Sequence, residues 1–227
     1  YAPHKDKLLE NAEKIGFVPI YSLIELVEKS NILIMACKPY QIEDVLADAG
    51  AYMKGKALIS IAAGWTFANY EKLLGEEVRI QCIMPNTPAM VGEGVILFEE
   101  KNTLSAGERE LVLDLFSALG LTEQLPTELM GIGGAVSGCG PAFMDLILEA
   151  YADAAVKYGI SRATAYKLIS QTMLGSAKLQ QVTGEHPGVL KDAVCSPNGT
   201  TIRGVDALEH AGLRAACIDS IDAVMNR

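Results

Sequence analysis

Short apolar stretches alternate with segments of helical periodicity between residues 31 and 87, and this alternation constrains the fold most strongly. The apolar stretches are residues 31–37, 57–63 and 78–84. The helical segments are residues 39–53 and 66–74. Short strands without a polar face are typical of parallel sheets covered on both faces. The pattern therefore predicts an α/β fold with a doubly wound sheet.

The remainder of the chain divides at about residue 125. Before that point we expect a helix over residues 8–15, a strand over 95–98, a helix over 106–119 capped by Ser105, and a strand over 121–125. After Pro126 the chain is rich in Ala, Leu and Met at a period of 3.6 residues, which predicts an all-helical region. We predict one domain over residues 1–125 and a second over residues 126–227.

Composition excludes several classes of protein. The 227 residues carry a formal net charge of −9 without a basic cluster, which argues against nucleic-acid binding. The 5 cysteines form no CxxC pair, so we expect neither a disulfide framework nor a metal site. Unbroken apolar runs are shorter than a membrane span requires, and no secretory signal is visible. We expect a cytoplasmic protein that does not associate with membranes.

The helical region predicts self-association. Its helices are apolar on nearly all sides, as residues 138–158 illustrate, and about a hundred residues cannot bury so many apolar faces alone. A homodimer formed through this region follows. The alternative is a monomer whose sheet domain covers these helices.

Parallel sheets bind ligands beyond the carboxyl ends of their strands, so three strand ends are candidates for a site. Lys38 and Pro39 follow the first apolar stretch, and Ala62 and Ala63 follow the second. Asn86 follows the third, between two prolines that restrict the loop. A lysine and small residues at strand ends are also common in loops without a ligand.

The phosphate-binding turn of dinucleotide-binding sheets, G-x-G-x-x-G, does not occur near the start of the chain. Either the protein does not bind dinucleotides, or a first βα unit precedes this sequence. The opening residues resemble the end of a second strand, where the adenosine ribose is read, which favours the latter. His4 and Lys5 would then contact a 2′-phosphate.

Two later segments have the composition of anion sites. Residues 137–141 form a predicted glycine-rich turn that opens a long helix, so the free amides near Gly138 and Cys139 would bind an anion or a cofactor. A close helix crossing is the alternative. Residues 196–201 combine a possible Ser196 cap, Pro197 and a compact turn with two threonines at the next helix start.

We interpret residues 196–201 as a carboxylate site, in which amides of Gly199, Thr200 and Thr201 converge with two hydroxyl groups. Upstream, Glu185 and His186 share a turn. His186 is expected to be a loop or capping residue rather than a catalytic base.

Taken together, these segments resemble the pyrroline-5-carboxylate reductase family over essentially the whole chain. The matching segments are residues 36–39, 60–64, 84–88, 137–141, 183–191 and 192–202. The resemblance implies an N-terminal Rossmann-like dinucleotide-binding domain, a helical domain that interlocks into a dimer, and often a ring of dimers. It also implies hydride transfer from NAD(P)H to 1-pyrroline-5-carboxylate, the last step of proline biosynthesis, with NADPH as the expected cofactor.

By this resemblance, the cofactor-binding residues are Lys5, Lys38, Pro39, Ala62, Ala63, Asn86, Gly138 and Cys139. The substrate-binding residues are Glu185, Ser196, Gly199, Thr200 and Thr201, of which the last four would be supplied by the partner subunit. The hydroxyl of Thr201 would form a hydrogen bond with the ring nitrogen and is the predicted catalytic group.

Three departures from the family pattern stand out: Asn198 replaces a glycine, Cys139 a serine and Leu23 an asparagine. Two other functions remain open. A related reductase of another small imine or hydroxy acid would use a catalytic lysine such as Lys157 or Lys178. A non-catalytic regulator would keep the fold and lack cofactor binding.

Overall fold

The computed structural model describes residues 1–226 and separates into two compact units, residues 1–138 and 139–227. The predicted division at residue 125 coincides with the last strand, but the boundary between the functional domains stays a prediction.

The first unit contains a sheet whose order follows the chain. Its strands are β1 (Ile32–Met35), β2 (Ala57–Ser60), β3 (Arg79–Pro85), β4 (Gly94–Glu99) and β5 (Gly120–Leu125). Its helices are α1 (Lys5–Ile15), α2 (Leu23–Lys29), α3 (Ile42–Ala49), α4 (Phe67–Leu74), α5 (Ala106–Ser117) and α6 (Met130–Gly134). Every strand predicted from the sequence is present. The seven-residue helix α2 was missed because it is barely two turns long.

Strands β1, β2 and β3 are parallel, as the apolar pattern predicts, with Met35 opposite Ser60 and Ser60 opposite Cys82. Strand β4 runs antiparallel to β3, and β5 runs parallel to β4. The antiparallel pairing was not predicted. Its cause is the short connection after β3, because a parallel pairing requires a crossover of a dozen or more residues.

Apolar side chains cover both faces of the sheet. One cluster joins Leu33, Leu58 and Ile80 to residues of α3 and α4. The other joins Ile59, Ile83 and Ile96 to α5. Helices therefore pack on opposite faces, which confirms the predicted doubly wound arrangement.

The second unit is helical throughout its described residues, as predicted. Its helices are α7 (Gly140–Lys157), α8 (Arg162–Thr183), α9 (Pro187–Ala193), α10 (Thr200–His210) and α11 (Leu213–Met225). Ser161 begins α8 by accepting a hydrogen bond from the Thr164 amide at 3.3 Å, and Gly184 ends it in the left-handed conformation.

Large apolar side chains are exposed along these helices: Leu146 is 67% exposed, Val182 72% and Ile218 62%. One continuous helical stretch, Thr127–Lys157, is also long and apolar enough to span a membrane by length and composition alone. This stretch was not predicted, because polar residues interrupt its apolar runs and only its average hydropathy is high.

Candidate active site

Three parallel strands bring their carboxyl ends to one edge of the sheet, and five predicted residues of the first unit lie there. Lys38 and Pro39 follow β1, Ala62 and Ala63 follow β2, and Asn86 follows β3. Pro39 begins a short 3₁₀ helix that leads into α3, as predicted. Lys38 is exposed, and its backbone amide donates to the Gln41 side chain at 3.1 Å.

The loop after β2 is held at both ends by buried polar groups. At its start, the Ser60 hydroxyl lies 2.7 Å from the Tyr70 hydroxyl and accepts a hydrogen bond from the Ala62 amide at 3.2 Å. At its end, the amide of Phe67 donates to a carboxylate oxygen of Glu99 at 2.7 Å. These bonds anchor the loop at both ends.

Small residues are presented by this loop. Ala62 is buried, whereas Ala63 and Gly64 are exposed. The Tyr70 hydroxyl is uncharged at neutral pH, and burial raises its pKa further, so it supports the loop without charge. Because Ala63 and Gly64 are small and exposed, a flat ring can approach their backbone closely.

Glu99 and Tyr70 are residues that the sequence analysis did not single out. Glu99 is 1% exposed, and its other carboxylate oxygen accepts a hydrogen bond from Thr127 at 2.7 Å. A glutamate that closes an apolar strand was the available signal, because a carboxylate is rarely buried without partners.

Asn86 uses both ends of its side-chain amide within the first unit. Its nitrogen donates to the Ser137 carbonyl oxygen at 2.8 Å, and its oxygen accepts from the Val95 amide at 2.8 Å. One hydrogen and one lone pair remain for another partner. Its place among the cofactor ligands stays a prediction.

Residues 137–141 do not form a turn that opens a helix, and this prediction was wrong. Residues Ala135–Cys139 are a π-helical stretch that follows α6 and continues into α7. The amides there have acceptors within the helix, so they are not free to bind an anion. Any contact of Gly138 or Cys139 with a cofactor must use another group.

Near the start of the chain, Lys5 is exposed in the first turn of α1. Its ammonium lies 6.0 Å from the centre of the Tyr21 ring. Within residues 1–226, no group of three or more His, Cys, Asp or Glu side chains is arranged to hold a metal ion.

The second unit contains the predicted turn before α10. Asn198 adopts a positive φ of 58°, a conformation that asparagine tolerates, and Arg203 donates to its side-chain oxygen at 2.8 Å. Thr200 and Thr201 begin α10 and are exposed, as expected. Their amides, at the first two positions of the helix, have no acceptor within it.

Two details of this turn differ from the prediction. The Gly199 amide donates to the Ser196 carbonyl oxygen at 3.0 Å, so it closes the turn instead of facing a ligand. Gly199 itself precedes α10, and the Ser196 side chain does not cap it in the described chain. A Cβ atom on Gly199 would lie 2.4 Å from the Ser196 hydroxyl oxygen and 3.0 Å from its carbonyl oxygen, so a larger residue here requires the serine side chain to rotate.

The loop between α8 and α9 holds the remaining predicted residue. Glu185 is exposed, and its amide donates to the Thr183 hydroxyl at 3.3 Å. The Nδ1 atom of His186 accepts a hydrogen bond from the Gly188 amide at 3.0 Å and caps α9. His186 is thus a capping residue, as predicted.

Comparison with known proteins covers the whole chain. The family description "Pyrroline-5-carboxylate reductase dimerisation" matches residues 127–227, and "NADP oxidoreductase coenzyme F420-dependent" matches residues 1–64. A pyrroline-5-carboxylate reductase of Treponema pallidum is 41% identical over 99% of this chain and 87% of its own length. The pyrroline-5-carboxylate reductase of Escherichia coli is 37% identical over 100% of this chain and 85% of its own length.

Solved structures agree. The pyrroline-5-carboxylate reductase of Coxiella burnetii superposes with a TM-score of 0.88 at 32% identity, over 98% of this chain and 83% of its own. The pyrroline carboxylate reductase of Plasmodium falciparum was solved with NADP bound. It superposes with a TM-score of 0.84 at 33% identity, over 90% of this chain and 78% of its own. The chain belongs to the pyrroline-5-carboxylate reductase family.

Proposed function

We propose that this protein reduces 1-pyrroline-5-carboxylate to L-proline, the last step of proline biosynthesis, as a dimer. The support is family membership over the whole chain, together with one structural observation. That observation is the exposed turn before α10, which presents two hydroxyl groups and the free amides of a helix start. A small carboxylate suits such a site.

In this proposal the amides of Thr200 and Thr201 bind the substrate carboxylate. The protonated ring nitrogen donates a hydrogen bond to the Thr201 hydroxyl oxygen, which orients the C=N bond. Glu185 and Ser196 complete the substrate site, and Gly199 keeps the turn compact. We place this turn in the partner subunit of the dimer, facing the cofactor.

A nicotinamide cofactor supplies the hydride when bound. The sheet edge fits a flat ring, because Ala63 and Gly64 are exposed and lack bulk. We assign Lys38, Pro39, Ala62, Ala63 and Asn86 to this side of the site, and further contacts to Lys5, Gly138 and Cys139. The first unit thus orients the cofactor, and the turn orients the imine.

NADPH is the cofactor that we propose over NADH. The Plasmodium falciparum relative was solved with NADP, and residues 1–64 match an NADP oxidoreductase description. Exposed Lys5 would pair with the 2′-phosphate. Comparing kcat/KM for the two cofactors tests this preference.

Residues 127–227 match the dimerisation region of the family. We propose that the partner subunit, rather than lipid, covers the apolar stretch Thr127–Lys157 and the exposed leucines of the second unit. We further propose a cytoplasmic protein, assembly of dimers into a ring, and binding of neither nucleic acid nor membranes.

The two other functions considered above are not favoured. The relatives described here at 30% identity or more are pyrroline-5-carboxylate reductases, which leaves no support for another imine or hydroxy acid. Lys157 lies beside the ring of Tyr158, with its ammonium 5.8 Å from the ring centre. No feature of Lys178 indicates a catalytic role in the described residues.

The test is the Thr201→Ala variant of the full-length protein. Loss of one hydrogen bond to a charged imine corresponds to a decrease in kcat of about 10- to 100-fold. Thr201→Ser retains the hydroxyl group and is expected to keep most of the activity. Wild-type protein without reductase activity would refute the function, and unchanged kinetics of Thr201→Ala would refute the role of Thr201.

A further inference from the structure

The end of β3 is joined to the helical segment that follows β5 by the side chain of Asn86. Its amide nitrogen donates to the carbonyl oxygen of Ser137, 51 residues further along the chain. Its amide oxygen accepts from the Val95 amide at the start of β4. One side chain therefore connects the loop after β3, strand β4 and the π-helical stretch Ala135–Cys139.

Close packing surrounds this connection. A Cβ atom on Gly134 would lie 2.4 Å from the sulfur of Met84, and one on Gly133 would lie 2.5 Å from a methyl carbon of Leu125. The helical segment approaches the sheet this closely because both positions are glycine. Ser137 is 8% exposed, and its hydroxyl donates to the Gly133 carbonyl oxygen at 2.9 Å.

The acceptor of the Asn86 bond belongs to an unusual backbone. π-Helical turns are rare, are less favourable than α-helix, and occur often at functional sites. A less favourable conformation persists when its surroundings determine it. Here the π-helical conformation is stabilised by the bond from Asn86 to the Ser137 carbonyl oxygen and by the close contacts of the two glycines.

We propose that Asn86 is a positioning residue for the reductase, which holds the loop after β3 and the π-helical stretch in one arrangement. The inference rests on the proposed function, because both segments carry residues that we assign to the cofactor, Asn86 itself and Gly138. Its contribution is the fixed geometry of these segments. It acts whether or not the remaining amide hydrogen of Asn86 also contacts the cofactor.

An aspartate at this position separates positioning from a general loss of packing. In Asn86→Asp the carboxylate still accepts from the Val95 amide, but it repels the Ser137 carbonyl oxygen at neutral pH. Once protonated, it becomes a hydrogen-bond donor again. That repulsion and the partial burial of the site raise the pKa of the introduced carboxyl group, whereas the Val95 amide lowers it, so recovery is expected toward the acidic end of the range.

The measurement is kcat/KM for NADPH between pH 8 and about pH 5, expressed as the ratio of variant to wild type. We expect Asn86→Asp to fall about 10- to 100-fold at pH 8 and to recover toward wild type at low pH. Asn86→Ala should be impaired at every pH. A pH-independent ratio for Asn86→Asp, or a ratio near one at pH 8, overturns the proposal.

Asn102→Asp is the matched control. Asn102 also bonds with both ends of its amide, donating to the Glu100 carbonyl oxygen at 3.0 Å and accepting from the Leu104 amide at 3.3 Å. Asn102 lies in the loop between β4 and α5, away in sequence from the segments that Asn86 joins. We therefore expect the ratio of kcat/KM for Asn102→Asp to that of wild type to stay near one at every pH. The ionisable residues nearest to Asn86 in sequence, Glu93 among them, are the same in every variant and cancel in the ratio.

A measurement without turnover covers the case in which Asn86→Asp fails to fold at pH 8. Amide hydrogen exchange of residues 135–139 should be at least about tenfold faster in Asn86→Ala than in Asn102→Ala, from loss of one internal hydrogen bond. Equal exchange overturns the proposal. Inactive wild-type enzyme would instead refute the proposed function and leave this readout valid.

Discussion

Acid is expected to weaken the first unit through the pair formed by Arg79 and Glu108. Arg79 is on β3, and Glu108 is in the first turn of α5. The guanidinium makes two parallel hydrogen bonds to the carboxylate, each of 2.7 Å. The amide and hydroxyl of Ser105 add two more, at 2.9 and 2.8 Å. These bonds lower the pKa of Glu108 to about 2.

The magnitude follows from that pKa. A carboxyl group lowered from 4.5 to about 2 is stabilised in the folded state by roughly 3 kcal/mol at pH 7. The Arg79 side chain is 33% exposed, so solvent screening reduces this to about 2 kcal/mol. Because the folded pKa is lowered, the stabilisation is complete above about pH 4.5 and is lost as the pH falls toward 2.

The assay is chemical denaturation of wild type and Glu108→Gln at fixed protein concentration, from pH 7 to pH 3. We expect Glu108→Gln to be less stable by about 2 kcal/mol at pH 7 and by less than half of that at pH 3. Glu110→Gln, an exposed glutamate of the same helix, is the control and should differ little. An equal difference at both pH values would refute the reasoning.

Two further predictions concern the anchors of the loop after β2. Tyr70→Phe removes the buried hydroxyl 2.7 Å from that of Ser60 and should lower the free energy of unfolding by about 1 kcal/mol, measured by denaturation; no change would show that water replaces the bond. Glu99→Gln keeps one acceptor for the Phe67 amide or Thr127, and the loss of the other should cost about 1–3 kcal/mol. If Glu99→Gln unfolds like wild type, the carboxylate does not hold this loop.

The comparison of sequence and structure separates local from long-range causes. Residues 31–37 and 57–63 predict their strands because these apolar runs are short and alternate with segments of helical periodicity. The turn at Asn198 and the start of α10 at Thr200 were predicted because they depend on φ preferences of neighbouring residues. Ser105 was identified as a cap for the same reason.

Residues 137–141 show where local reasoning fails. The run Ser137, Gly138, Cys139 and Gly140 has the composition of a turn, yet the chain is helical through it. Gly133 and Gly134, a few residues earlier, serve close packing against Met84 and Leu125. Composition alone does not distinguish a glycine needed for a turn from one needed for close approach.

By itself, the sequence determined the strands, most of the helices, the doubly wound sheet, the turn before α10 and the family. The tertiary structure alone decided that β4 runs antiparallel, that the Asn86 amide bonds to Ser137, and that Glu99 is buried between Phe67 and Thr127. Periodicity and φ preferences act over a few residues and can be read along the chain. A hydrogen bond between residues 51 positions apart depends on which distant backbone groups the packed sheet brings within reach.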